Sequence, residues 1–415
     1  MLFRSIALLL CLAVPFSTDI SLAEPLPTAA PEEVGMSSEK LAEIERVMQG
    51  RVANGEIYGG SVLVSRRGKV VYFVQYGMMD AAAEKPWQAD TIARIYSMTK
   101  GITTAAALML VDEGKLALDD PVEKYLPEFA DRTVYDPAGN RPAKSPMTVQ
   151  QLMLHTSGLV YGNAEGSPIE KQYAVIDALD YQGTLQDLID KLAGLPLAFD
   201  PGTDWHYGLS TDVLGAVVER ASGQLLDEFL AERIFAPLGM VDTAFQVPPE
   251  KLDRLAVCYE TKDDELIVED EPATSRFGRP ATFHSGGGGL VSTAADYWRF
   301  LQMIAEGGKA GGKQLLEPET VALMTHNQLD DTSGWVADPG SGFGLGFRVT
   351  CEPIPDEDRH LLGEYGWGGR ASTHYWTHPG EEITVVTLEQ TVPYTDKTFV
   401  AVHPLVYAAI MEDEK

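Results

Sequence analysis

Apolar and polar positions change their period twice along the chain. In 37–54, Leu41, Ile44, Val47 and Met48 recur at helical spacing behind Ser37-Ser38, which predicts a capped amphipathic helix. Two runs of β-branched and aromatic residues follow, 60–66 (GSVLVSR) and 69–76 (KVVYFVQY), joined at Arg67-Gly68, and these predict a hairpin. Near the other end, 344–350, 373–377 and 383–390 (ITVVTLEQ) again read as strands and 399–411 as a closing helix. From about 97 to 290 the signals are mostly helical, punctuated by Gly and Pro: 102–113 stopped by Gly114, 149–154, 211–221 stopped at Gly223, and 225–234. Strands at both ends with helices between them predict an α+β fold. Its antiparallel sheet is built from both chain ends and flanked by helices, and it carries a large, mainly helical inserted region. The α/β part would take about 24–95 and 291–415 and the helical part about 96–290, with a binding cleft where the two meet.

The first residues follow neither period. Arg4 precedes an apolar run, 6–14 (IALLLCLAV), and Ser21-Leu22-Ala23 has the small-x-small form of a cleavage site. The run is too short to span a bilayer, so 1–23 reads as a secretory signal peptide and the mature chain as periplasmic or secreted, with no membrane anchor. Leu10 is too large for a lipoprotein cleavage site before Cys11.

Composition removes whole classes of function. The chain has 415 residues, 45% of them hydrophobic, which is ample for a core and excludes disorder. Its 61 acidic residues against 32 Lys and Arg leave a net charge of −29, which phosphate backbones and anionic lipid would repel; no nucleic-acid partner is expected. Outside the signal segment only Cys258 and Cys351 remain, able either to pair or to stay buried thiols. There is no HExxH, and His374 and His378 lie four apart in a predicted strand and its exit, where that spacing does not put two rings on one metal. No metal site is expected.

No Gly-x-Ser-x-Gly, GxGxxG or GxxxxGK[ST] occurs, and Gly286 to Gly289 reads as a tight turn. Ser-x-x-Lys occurs twice, at Ser37–Lys40 and Ser97–Lys100. Alone the tetrad is a weak signal, and context separates the pair. Ser37 opens a charged helix, where capping explains it and Lys40 is solvated. Ser97 opens an unusually apolar one (GITTAAALMLV), whose burial favours the neutral amine of Lys100 one turn away, within reach of the Ser97 hydroxyl.

The surroundings of Ser97 extend this pattern. Residues 91–115 (TIARIYSMTKGITTAAALMLVDEGK), 116–127 (LALDDPVEKYLP), 147–159 (MTVQQLMLHTSGL) and 199–240 (FDPGTDWHYGLSTDVLG onward) together resemble the penicillin-recognising serine hydrolases. So do 285–293 (SGGGGLVST) and 366–369 (GWGG). That family comprises class C β-lactamases, DD-peptidases and family VIII carboxylesterases, and the resemblance covers most of the mature chain in the family's order. It implies a single β-lactamase-related hydrolase domain over 24–415, with no cofactor. The family's second motif is Tyr-x-Asn. Tyr161-Gly162-Asn163 fits the letters, but Tyr207-Gly208-Leu209 lies inside the matching block, so Tyr207 is the expected catalytic tyrosine and Tyr161 an ordinary loop residue. The third motif is expected at Trp367-Gly368-Gly369, although His284-Ser285-Gly286 fits loosely.

By resemblance, Ser97 is the nucleophile, Lys100 and Tyr207 move protons, and the backbone N–H groups of Ser97 and Arg370 form the oxyanion hole. Leu209, Trp367, Gly368 and Gly369 are the expected substrate contacts. Leu209 and Trp367 stand where peptidases and lactamases carry groups for the substrate amide and carboxylate. The expectation is therefore a carboxylesterase acting on a small, short-chain ester. The alternatives are a D-Ala-D-Ala-type peptidase or weak β-lactamase, and an inactive homologue binding a peptidoglycan fragment or a protein.

Overall fold

Helix α1 (Ser38–Ala53) begins where the pattern places it: the Ser37 hydroxyl accepts from Lys40 N at 3.3 Å, and Leu41, Ile44 and Met48 are buried. The computed structural model describes residues 24–263, 265–330, 340–353 and 361–411, and the expected signal segment lies outside them. Strands β1 (Gly59–Arg66) and β2 (Lys69–Asp80) form the hairpin, turning through Arg67 and Gly68 at φ 51° and 69°. A short β3 (Lys85–Pro86) extends it. The inserted region carries α2 (Thr99–Asp112) and α3 (Ser210–Ser222), and α4 (Ala294–Ala305) returns the chain to the sheet. The sheet is completed by β4 (Ser341–Phe343), β5 (Arg348–Thr350), β6 (Tyr365–Gly369), β7 (Thr373–His378) and β8 (Ile383–Glu389), and α5 (Lys397–Ala408) closes the described chain.

The eight strands run in the order β4-β5-β6-β7-β8-β1-β2-β3, every pairing antiparallel. The two chain ends meet at β8 and β1, with Leu63 opposite Val386 and Val64 opposite Val385. Alternation sorts these side chains to two cores. Val62, Val64 and Val385 pack with Leu41, Ile44, Val402 and Val406 beneath α1 and α5. Leu63 and Val386 join Ile102, Leu108 and Leu301 on the other face. Each such fully buried aliphatic contributes roughly 1.5–3 kcal/mol. Helix α2 is buried without interruption from Thr99 to Leu110 and packs against α3, so it is the axle of the inserted region.

Two expectations change, and one left open is settled. The strand expected over 344–350 is broken: Gly344-Leu345-Gly346, with Gly346 at φ 90°, separates β4 from β5. A Cβ at Gly344 would lie 2.1 Å from Met324 O, so the break is made by close packing on the preceding helix. The inserted region is less helical than its pattern, because Cys258–Lys262 and Glu265–Asp270 form a hairpin to which Thr391–Val392 adds a parallel strand. Cys258 and Cys351, left open between pairing and free thiols, are free.

Candidate active site

Ser97 sits in a 3-10 turn, Tyr96–Met98, that runs directly into α2. Tyr96, at φ 40°, is left-handed, a conformation that costs a bulky residue of order 1–3 kcal/mol. Its ring is held edge-on to Phe277 and lies beneath the Arg370 guanidinium, 5.7 Å away. The kink lifts Ser97, half-buried, into a cleft of about 700 Å³ whose walls include Tyr207, Trp367, Gly368, Gly369 and Arg370. Lys100, one helical turn on, is only 2% exposed. Its Nζ donates to Ser97 Oγ at 3.2 Å, to Tyr161 OH at 3.2 Å and to the Gly287 carbonyl at 2.5 Å. These three contacts hold the amine on the nucleophile.

Tyr207 stands on the other side of that amine: Lys100 Nζ lies 4.6 Å from its ring centroid, and its hydroxyl accepts from Trp367 Nε1 at 3.3 Å. The ring is packed by His155, Tyr161 and Trp367 with centroids 4.8, 5.6 and 5.4 Å away. His155 is left-handed at φ 58°, and burial, followed by the nearby Lys100 charge, pushes its imidazole well below the usual range. The neutral ring accepts the Gly208 N–H at Nδ1, 3.4 Å away, and so braces the segment that carries Tyr207.

The glycines of β6 set the opposite wall. A Cβ on Gly369 would lie 2.3 Å from Ile95 O, so only glycine lets the strand abut the segment leading to Ser97. That contact brings the Arg370 and Ser97 backbones to one end of the cleft. The Arg370 guanidinium turns away to Glu269, with both contacts at 3.2 Å.

The structure therefore brings Ser97, Lys100, Tyr207, Trp367, Gly368, Gly369 and Arg370 together. It does not bring Leu209, expected to contact substrate. Leu209 caps α3, is 1% exposed and packs in the main core instead of lining the cleft. A second correction concerns Tyr161: its hydroxyl touches Lys100, and burial, then Tyr207 and Asp212, raise its phenol well above the usual range. Sequence reasoning also passed over His155 and Asp212, although both lie inside the quoted blocks HTSGL and HYGLSTDVLG. Ser37, by contrast, is a surface cap, and Lys40 Nζ is bonded to Ala408 O at 2.8 Å. Among the described residues no group of three His, Cys, Asp or Glu could hold a metal ion.

Comparison with known proteins follows the same outline. The family model described as Beta-lactamase matches residues 44–403. Esterase EstB of Burkholderia gladioli is 32% identical over 368 residues, covering 84% of this chain and 90% of its own. Acyltransferase mokF of Monascus pilosus is 31% identical over 374 residues, covering 81% and 87%. Among solved structures, that of EstCE1, a hydrolase with promiscuous acyltransferase activity, aligns with a TM-score of 0.77 at 28% identity, covering 89% of this chain and 99% of its own.

Proposed function

Since the chain belongs to the beta-lactamase family of penicillin-recognising serine hydrolases, we propose that it cleaves short-chain carboxylic esters through an acyl-enzyme on Ser97. The observation that carries this reading is the buried Lys100 amine, bonded to Ser97 Oγ and set against the face of Tyr207. Ser97 Oγ attacks the ester carbonyl as its proton passes to Lys100, assisted by Tyr207, and the new C–O bond makes a tetrahedral oxyanion. The backbone N–H groups of Ser97 and Arg370 stabilise that charge. The ester C–O bond then breaks, the proton returns through Tyr207 to the leaving alcohol, and water releases the acid by the same steps in reverse.

The choice of an ester over a β-lactam or a D-Ala-D-Ala peptide rests on what surrounds Tyr207. Trp367 presents a neutral indole N–H, already engaged with the Tyr207 hydroxyl, in place of a carboxylate-binding cation. Of the two arginines in the wall, Arg348 and Arg370, the one beside Ser97 is Arg370, and it is paired with Glu269. Each hydrogen bond missing to a charged substrate group is worth on the order of 1.5–3 kcal/mol. We expect kcat/KM for p-nitrophenyl butyrate to exceed that for nitrocefin by at least about 10²-fold. Equal turnover of both, or turnover of a D-Ala-D-Ala peptide alone, would overturn the reading, and no turnover at all would favour a binder. The names of mokF and EstCE1 support a second use of the same acyl-enzyme, transfer to an alcohol instead of water. Formation of butyl butyrate when butanol is added would detect it. The pattern of residues 1–23 supports export, and the N-terminus of protein recovered from the periplasmic or culture fraction should be Glu24. A cytoplasmic chain beginning at Met1 would refute that. No helix among the described residues is long and apolar enough to cross a membrane.

A further inference from the structure

Asp212 lies in the first turn of α3, 1% exposed, and takes no part in the proton transfers above. Its Oδ1 accepts from Ser285 Oγ at 2.5 Å and from Gly287 N–H at 3.1 Å, while its Oδ2 is buried with no hydrogen-bond partner. The carbonyl of the same Gly287 accepts from Lys100 Nζ. One residue thus joins carboxylate to amine, N–H to the first and C=O to the second. Thr103 of α2 holds the turn from the opposite side, donating to the Gly286 carbonyl at 2.9 Å.

The glycine run has its reason here. A Cβ on Gly287 would lie 2.3 Å from Asp212 Oδ2, and one on Gly286 would lie 2.6 Å from Thr211 O. Only a chain without side chains fits between α2 and α3 and still reaches both the carboxyl and the amine. Burial raises the Asp212 carboxyl above its usual range, while the Lys100 charge, then the Ser285 and Gly287 hydrogen bonds, oppose that rise. The other titratable groups around the pair are the phenols of Tyr161, Tyr181 and Tyr207 and the imidazole of His155. Arg276 and Arg370 act on Tyr181 from further away.

We propose that Asp212 is a positioning residue for the reaction at Ser97: through the Ser285–Gly287 turn it aims Lys100 at the nucleophile, and as a buried counter-charge it strengthens the hold of that amine on the Ser97 proton. The proposal rests on the acyl-enzyme reading above. A buried carboxylate is least favourable beside a neutral amine and most favourable beside an ammonium. Ammonium forms as Ser97 attacks, so the attraction is realised in the transition state more than before it, which is the condition for raising kcat.

Asp212→Asn keeps the shape and one acceptor but removes the charge. An opposite charge a few ångströms away changes proton affinity by about 1–3 pH units. The acid limb of kcat/KM for p-nitrophenyl butyrate should therefore move to lower pH by about one unit or more. The plateau kcat should fall at least about tenfold, the usual direction for a weakened base, with KM little changed. A limb that stays in place would overturn the proposal. Lys100→Met supplies a second reading that needs no turnover and does not require Asp212→Asn to fold. It removes the group whose charge opposes the rise of the buried Asp212 carboxyl, so that carboxyl is raised further, and stability from such a group is lost as pH rises. The Tm of Lys100→Met should fall relative to wild type as pH rises above the ordinary carboxyl value of 3.8, and a parallel pair of Tm curves would overturn the proposal. If wild type cleaves no ester but Lys100→Met shows the slope, the ester reading fails and the charge coupling stands.

Discussion

Gly369→Ala tests whether the closeness of β6 to the nucleophile segment sets the rate. The added Cβ would meet Ile95 O at 2.3 Å and Thr373 Oγ1 at 2.4 Å. Thr373 can rotate its hydroxyl aside, but the Ile95 oxygen belongs to the backbone that delivers Ser97. To restore a separation of at least 3.0 Å, one of the two segments must move by roughly 0.7 Å or more. The displaced groups are the N–H of Arg370 and the Ser97 turn, the two proposed halves of the oxyanion hole. Misplacing reacting groups by about 1 Å costs on the order of 10²-fold, and loss of one oxyanion donor costs about 10²–10³-fold. We expect kcat/KM for p-nitrophenyl butyrate to fall about 10²-fold, or about 2.7 kcal/mol at 1.36 kcal/mol per tenfold. Far-UV circular dichroism should be unchanged, since the β6 pairing with β7 survives. Gly368→Ala is the comparison: its Cβ would meet nothing nearer than 3.1 Å, part of it the exposed Tyr394 ring, which can give way, so its loss should stay within about tenfold. Gly369→Ala within threefold of wild type would refute the reasoning.

Ser97→Ala should abolish hydrolysis and labelling by a fluorophosphonate while Ser37→Ala leaves both near wild type; full labelling of the Ser97→Ala protein would remove Ser97 from the mechanism. Tyr207→Phe should lower the rate by roughly 10²-fold or more, because it deletes the proton-carrying hydroxyl and the acceptor of Trp367 Nε1–H. Tyr161→Phe deletes one hydrogen bond to the Lys100 amine, worth about 1.5–3 kcal/mol when that amine is charged, so a loss of about 10- to 150-fold is expected, measured with the same ester. Stability should depend on pH through Glu389, whose carboxyl burial pushes from 4.5 to about 7 against the pull of Thr398 and Arg51. Its contribution is full below 4.5 and is lost as pH rises through about 7, so thermal melts should show Glu389→Gln flattening that fall.

Local pattern was enough for the sheet halves, the hairpin at Arg67-Gly68, the buried helix behind Ser97 and the difference between the two Ser-x-x-Lys tetrads. In each case the signal lies within a few residues, since side-chain period and helix capping are short-range properties. Trp367 and Gly369 were legible only through resemblance, and the structure supplies their reasons, an indole N–H on Tyr207 and a backbone contact with Ile95. What pattern alone missed depends on separations of 50 to 190 residues. Tyr161 reaches Lys100 from a loop 61 positions away, and Gly287 reaches it from 187. Leu209 reads as a substrate contact because it follows Tyr207, yet a helix cap turns its side chain into the core. The residue types and their order along the chain determined that a serine, a lysine and a tyrosine would be available for chemistry. Only the packing of α2 against α3, with glycines where no side chain fits, decided which tyrosines face the amine and which carboxylate lies behind it.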